Sequence, residues 1–225
     1  MASEPIRDPV KVVGTAKAAV ASVQPFATGE PMNACHRASW FPPLILCCAL
    51  LAPAAAAQAA DTKREGELLY LQMHKVLSHP RCVNCHPKDD TPKQGEAARV
   101  HVPPMTRGPQ SHGPAGLQCG ACHQEQNNTA SGVPGAPHWH LAPRTMAWQG
   151  LSAGELCRAL VDRKKNGNRS IEATVKHLSE DALVAWAWNP GADASGKARE
   201  PVPVPRDEFI KTVQAWARTG AACPK

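Results

Sequence analysis

Residues 82–86 read Cys-Val-Asn-Cys-His, and residues 119–123 read Cys-Gly-Ala-Cys-His. Both segments have the pattern C-x-x-C-H, and 33 residues separate the second cysteine of the first segment from the first cysteine of the second. The two segments hold four of the nine cysteines in the chain. The repeat indicates that both pairs serve the same chemistry.

The C-x-x-C-H pattern is typical of the attachment site of a c-type haem. Two thiols separated by two residues can reach the two vinyl groups of one porphyrin, and the histidine that follows is then held beneath the iron. The pattern therefore predicts two covalently bound haems c, with His86 and His123 as the proximal iron ligands. The thiols expected to hold the haems are Cys82, Cys85, Cys119 and Cys122.

Two other interpretations of the cysteine pairs stay open. Two C-x-x-C pairs also occur in zinc ribbons, although the usual gap of about 15 to 20 residues is shorter than the gap here. A thioredoxin-like redox pair is the third interpretation, but no βαβ pattern surrounds either motif. Neither alternative requires a histidine directly after both pairs, so the haem interpretation is favoured.

The N-terminal region has the pattern of an export signal. Residues 41–60 read FPPLILCCALLAPAAAAQAA, and the apolar run from Leu44 to Leu51 within them falls short of the about 20 residues that a spanning helix needs. Arg37 supplies the positive region, and Ala57-Gln58-Ala59 forms an A-x-A cleavage site. We predict a signal peptide over 32–60 that starts at Met32, and a non-native or disordered extension over 1–31. The alternatives are a start at Met1 and a retained membrane anchor.

A signal peptide implies that the mature chain, 61–225, is periplasmic and has no stable membrane span. In that oxidising compartment Cys157 and Cys223 are expected to form a disulfide, with two free thiols as the alternative. From residue 61 onward the chain has 21 Lys and Arg against 16 Asp and Glu. Two haems would bring four carboxylates, so the basic isoelectric point does not indicate a nucleic-acid partner.

The mature chain predicts an all-α fold: a single haem-wrapped domain with short helices and long Pro/Gly-rich coil. Residues 87–145 contain nine Pro and seven Gly, and the ten aromatic residues of the chain are few for a core that porphyrins do not help to fill. A helix is predicted over 61–78, with an apolar stripe of Leu68, Leu69, Leu71, Val76 and Leu77. Further helices are predicted from a capping box at residue 152 to about 165, from Ser170, over about 180–188, and over 207–219 with Phe209, Val213 and Trp216 facing inward.

Each iron can also take a distal ligand, which in c-type cytochromes is a histidine or a methionine. His101 lies between the motifs in a proline-rich apolar setting, and His140, with His138 as its alternative, lies in a similar one. Met146 precedes a capped helix, and His177 lies beside an apolar helix face. For each of these, a backbone-bonded, surface or core-packing role is the alternative. The other candidates considered are His74, His79, His112, Met73 and Met105.

On these motifs the chain resembles the bacterial periplasmic dihaem cytochromes c. The segments HPRCVNCHP, GAPHWHLAP, MAWQGLS, WAWNPG and GAACP are similar to a family of small secreted proteins labelled isoquinoline 1-oxidoreductase subunit. The resemblance implies electron transfer between a periplasmic dehydrogenase, such as a molybdenum hydroxylase, and an electron acceptor. No segment resembles a molybdopterin or substrate site, so an electron-transfer subunit is favoured over an independent enzyme. The alternatives are a haem enzyme with one open iron site, either a dihaem peroxidase or a sulfur-compound oxidoreductase, and a zinc-binding module.

Overall fold

The computed structural model describes the backbone of residues 51–225 and the side chains of residues 56–225. The extension over 1–31 and the signal peptide up to residue 50 lie outside these residues. Regular structure within 51–225 is mainly helical, as the all-α prediction expected. The α-helices are α1 (Leu51–Leu77), α2 (Pro80–Val83), α3 (Ala153–Val161), α4 (Ile171–Glu180), α5 (Ala182–Ala185) and α6 (Arg206–Arg218). Three single 3₁₀ turns cover Cys119–Ala121, Arg144–Met146 and Trp186–Trp188.

The core forms where α1 packs along α6, with α3 and α4 closing it. On α6 the inward positions are Phe209, Val213 and Trp216, as predicted, and each is at most 1% exposed. Their spacing of four and three residues places them on one face of a helix. A disulfide between Cys157 on α3 and Cys223 joins the chain end to this core, with Cα atoms 5.5 Å apart, which confirms the predicted pairing.

The predicted stripe on α1 is wrong in part. Leu68 and Leu71 are 54% and 42% exposed, whereas Val76 and Leu77 are buried as predicted, together with Tyr70 and Met73. Apolar residues occur on more than one face of this helix, and only the face that meets α6 is buried. Residues 56–65 of α1, which include the predicted cleavage site, are all exposed. Among the helices within 51–225, none combines the length and apolar character needed to cross a membrane.

Two of the C-terminal helices have other bounds than predicted. The capping box of Ser152 and Glu155 opens α3 as expected, but the helix ends at Val161, four residues before the predicted end. The side-chain amide of Asn166 donates to the Leu160 carbonyl at 2.7 Å, and this bond holds a turn where the helix would otherwise continue. The segment over 180–188 is split, because Asp181 is extended and caps α5 before the 3₁₀ turn of Trp186–Trp188.

The Pro/Gly-rich region is coil with one short hairpin, although no strand was predicted. Lys93–Gln94 (β1) pairs antiparallel with Arg99–Val100 (β2). Arg107, which is 5% exposed, connects this coil to the rest of the domain. Its guanidinium donates to the Asp90 carboxylate at 3.2 Å, to the Asp89 carbonyl at 2.9 Å and to the Ala142 carbonyl. A buried cation with these partners holds a loop in place that has little regular structure of its own.

Candidate functional site

The first C-x-x-C-H motif begins in α2 and ends in a tightly bonded turn. The Trp148 amide donates to the His86 carbonyl at 3.0 Å, and the Ala142 amide donates to the Cys85 carbonyl at the same distance. Nδ1 of His86 lies 2.8 Å from the Met146 carbonyl oxygen, and the Trp148 indole is stacked on the imidazole. Because a carbonyl oxygen only accepts, Nδ1 carries the proton of the neutral ring and Nε2 is free to bind a metal.

The second motif, which opens with the 3₁₀ turn of Cys119–Ala121, has the same construction. Nδ1 of His123 lies 2.7 Å from the Pro134 carbonyl oxygen. Trp139 is stacked on the His123 ring, with centroids 4.5 Å apart and planes 6° from parallel. Trp139 in turn meets Trp186 edge to face at 5.0 Å. Both motif histidines therefore have one ring nitrogen bound to a carbonyl, one ring face covered by an indole, and Nε2 unprotonated.

Burial keeps both motif histidines neutral. It lowers the pKa of His86 to about 3, against the opposing effect of the Met146 hydrogen bond. Burial likewise lowers the pKa of His123, with the Pro134 hydrogen bond acting in the other direction. A neutral imidazole with a fixed tautomer is the form of histidine that binds a metal ion.

A cavity of about 940 Å³ brings parts of both motifs together. From the motifs it is lined by Cys85, Cys119, Cys122 and His123, and its wall also includes His101 and His140. This volume is near the upper end of the usual range for ligand pockets of about 300–1,000 Å³. The other predicted site residues, Cys82, His86, Met146 and His177, lie outside the cavity lining among residues 51–225.

The cavity wall suits a large apolar group. Trp139, Leu141 and Trp186 line it, and Val102 and Leu117 are 72% and 43% exposed beside it. Large apolar side chains exposed at the wall of a pocket are expected where a ligand covers them. The combination of thiols, an oriented imidazole and apolar walls fits a covalently attached porphyrin.

Two arginines line the same cavity, together with the carboxylates of Glu96, Asp193 and Glu200. Arg81 forms an ion pair with Glu96, and its side chain is only 3% exposed. Arg199 donates to the carbonyls of Pro190, Ala192 and Gly132, and among residues 51–225 it has no carboxylate in ion-pair range. A guanidinium without a carboxylate partner favours a ligand that carries acidic groups, as the propionates of haem do.

Burial raises the pKa of Cys82 to about 12 and that of Cys85 to about 11, and the nearby Cys119 side chain raises the pKa of Cys85 further. Within the described part of the chain, no three His, Cys, Asp or Glu side chains converge on a metal position. The zinc-ribbon interpretation therefore gains no support from this arrangement.

The predicted distal histidines share a property that separates them from His79. In each of them Nδ1 faces an oxygen atom. Nδ1 of His101 lies 2.9 Å from the Pro103 carbonyl oxygen, and Nδ1 of His140 contacts the His138 carbonyl. Nδ1 of His177 lies 3.3 Å from an Asp181 carboxylate oxygen. Each of these rings keeps Nε2 free. By contrast, Nδ1 of His79 accepts from the Arg81 amide, so its Nε2 carries the proton in the neutral ring.

Met146 lies on the wrong side of His86 to be a distal ligand for the same metal. Its carbonyl binds Nδ1 of His86, whereas a metal would bind the other ring nitrogen. Its side chain is buried in the core, and the sulfur lies 3.9 Å from the Arg169 guanidinium. This environment favours the packing role that was the alternative for Met146.

The stacking of Trp148 on His86 and of Trp139 on His123 was not predicted from the sequence. The carbonyl partners at Met146 and Pro134 leave no signal in the sequence, because every residue has a carbonyl. Comparisons with protein-family models, with curated proteins and with solved structures yield no match to this chain.

Proposed function

We propose that this chain is a periplasmic dihaem c-type cytochrome that carries single electrons between a dehydrogenase and an acceptor. The observation that carries the proposal is the matched environment of His86 and His123. At both C-x-x-C-H motifs a backbone carbonyl binds Nδ1, and an indole covers one ring face. Chance would not be expected to produce the same two supports twice at the two positions that the motif reserves for iron ligands.

Each of the two cysteine pairs would hold one haem. Cys82 and Cys85 would hold one by thioether bonds, and Cys119 and Cys122 the other. When bound, the haems supply reversible one-electron oxidation and reduction of iron. The chain fixes the proximal rings by the carbonyls and indoles and shields the site with apolar side chains. These features, together with the Arg199 charge, are the means by which a protein sets a haem potential.

The proposed location and partners rest on other features. The predicted signal peptide and the Cys157–Cys223 disulfide both fit an oxidising compartment, which is where c-type haems are attached after export. The resemblance to the isoquinoline 1-oxidoreductase subunit family suggests a molybdenum hydroxylase as the electron donor. The dehydrogenase and the acceptor are therefore proposed as proteins of the same compartment.

The test is to express the full chain in a bacterium that attaches c-type haem and to measure haem content and intact mass. We expect two haems per chain, an added mass of about 1.2 kDa, and no thiol that reacts after denaturation. Cys82→Ser/Cys85→Ser should retain one haem, and so should Cys119→Ser/Cys122→Ser. The matched control Cys157→Ala/Cys223→Ala should retain both haems, because its cysteines lie outside the motifs.

A colourless protein with four reactive thiols would overturn the proposal. The visible spectrum then separates a carrier from the haem-enzyme alternative. Two low-spin irons that do not react with peroxide or carbon monoxide support the carrier. One high-spin iron that binds carbon monoxide supports an enzyme with an open iron site.

A further inference from the structure

We propose that His101 is the second axial ligand of the iron bound by His123. The inference rests on the proposed function and deepens it, because it selects one distal ligand from the candidates and pairs it with one haem. His101 and His123 both line the 940 Å³ cavity. Their ring centroids are 5.9 Å apart, and their planes are inclined at 62°.

The separation between the two rings matches the size of one metal ion with its two bonds. An imidazole nitrogen lies about 2 Å from a transition metal that it binds, and the ring centre lies about 1 Å further away. Two imidazoles on opposite sides of one metal therefore have their centres about 6 Å apart. The 5.9 Å between the centres of the His101 and His123 rings is close to this separation.

Both rings also have the tautomer that the bond requires. Nδ1 of His101 is bound to the Pro103 carbonyl, and Nδ1 of His123 is bound to the Pro134 carbonyl. Each neutral ring therefore has an unprotonated Nε2. A carbonyl at the opposite nitrogen is the usual support of a histidine that binds a metal.

The other close pair of histidine rings does not meet these conditions. The centroids of His112 and His140 are 4.9 Å apart, which is too short for two rings on opposite sides of one metal. His112 is exposed, and within residues 51–225 its ring has no hydrogen-bond partner. The geometry thus distinguishes the His101–His123 pair from a mere cluster of histidines.

The hairpin of β1 and β2 explains how a Pro-rich coil can hold His101 at a fixed distance. His101 directly follows β2, and its amide donates to the Pro92 carbonyl at 3.1 Å. The next amide, of Val102, donates to the side-chain oxygen of Gln94 on β1 at 3.1 Å. These bonds continue the hairpin past its last paired residue and keep His101 at the cavity wall. The hairpin is therefore the positioning element for this ligand.

The test compares His101→Ala and His101→Met with the wild-type full chain, each loaded with haem in the bacterium and confirmed to hold two haems. In His101→Ala we expect one of the two low-spin signals in the electron paramagnetic resonance spectrum to become high-spin. Free imidazole should then restore the low-spin signal by entering the vacated position. In His101→Met we expect one of the two potentials to rise, because His/Met ligation gives higher potentials.

The matched control is Gln110→Ala, which changes an exposed residue of the same coil that lies outside the cavity lining. It should leave both signals and both potentials unchanged. Two unaltered low-spin signals in His101→Ala would overturn the ligand assignment while the dihaem function stands. Absence of haem from the wild type would instead remove the proposed function itself. If His101→Ala fails to accumulate, unaltered potentials in His101→Met overturn the assignment.

Discussion

The indole of Trp148 lies flat against the imidazole of His86, with ring centroids 3.5 Å apart and planes 10° from parallel. Trp148 is 5% exposed and belongs to the main core, so this contact ties the first motif to the packing of α1, α3 and α6. Trp139 covers His123 in a similar way but is only half-buried and lies outside that core. The two motifs thus have the same local support and different connections to the global fold.

This difference predicts unequal effects of removing the two indoles. Trp148→Ala should lower the free energy of unfolding by about 3–5 kcal/mol, because it leaves a large core cavity. Trp139→Ala should cost about 1–2 kcal/mol, since it removes aromatic contacts at a half-buried position. Urea denaturation of the haem-loaded variants followed by circular dichroism measures both. Equal losses of stability would contradict the assignment of Trp148 to the core.

A glycine near the second motif is expected to be needed for only one of the two haems. A Cβ on Gly135 would overlap the Gln126 carbonyl oxygen, so Gly135→Ala should displace the loop that carries the Pro134 carbonyl. We expect this variant to lose the second haem in part or fully and to keep the first.

The control for this change lies inside the second motif itself. A Cβ on Gly120 would meet no atom within 4 Å, so Gly120→Ala should retain both haems although it changes the C-x-x-C-H sequence. Pyridine haemochrome assays with peptide mapping identify which motif carries haem. Full haem content in Gly135→Ala would show that the Pro134 loop can move without loss of attachment.

The Cys157–Cys223 disulfide is expected to stabilise the domain through the unfolded state. It closes a separation of 66 residues, which in the chain-entropy model is worth about 3–5 kcal/mol. Cys157→Ala/Cys223→Ala should therefore have a lower urea midpoint than the wild type at unchanged haem content. A reducing agent should bring the wild-type midpoint close to that of the variant. An unchanged midpoint in both experiments would mean that core packing alone holds the C-terminus.

The capping box of α3 predicts a pH dependence of stability. Hydrogen bonds from the Ser152 hydroxyl and amide lower the pKa of the Glu155 carboxyl. A carboxyl with a lowered pKa in the folded state stabilises the fold above its ordinary pKa, and this stabilisation is lost as the pH falls through the lowered value. Ser152→Ala should cost about 1 kcal/mol at neutral pH, and less in acid. Thermal unfolding at several pH values measures the effect, and a cost independent of pH would exclude the carboxylate from the cap.

The elements that were predicted well are those with local signals. Ser170 caps α4, and the apolar spacing of α6 selected its buried face, because both signals act within one or two turns of helix. The face of α1 was predicted poorly, since exposed Leu68 and buried Leu77 look alike in the sequence. Only contact with α6 distinguishes them.

In the candidate site, too, local features were predictable from the sequence and long-range contacts were not. The cysteine spacing alone predicts the haem-binding thiols and the two proximal histidines, and the two cysteines left outside the motifs predicted the disulfide that the structure contains. The Met146 carbonyl that binds His86 lies 60 residues away in sequence. His101, whose ring lies near that of His123, directly follows a hairpin that no strand pattern predicted. Pairings over such separations depend on how the coil folds back on itself.

The sequence by itself predicts the chemistry proposed for this protein, because thiol spacing and an adjacent histidine act within a single turn of chain. The tertiary structure alone decided which carbonyl orients each imidazole, which indole covers it and which second histidine ring lies near His123. These relationships join backbone and side chains from distant segments. These relationships form only when the core between α1 and α6 is buried and the hydrogen bonds of Arg107 hold the Pro/Gly-rich coil in place.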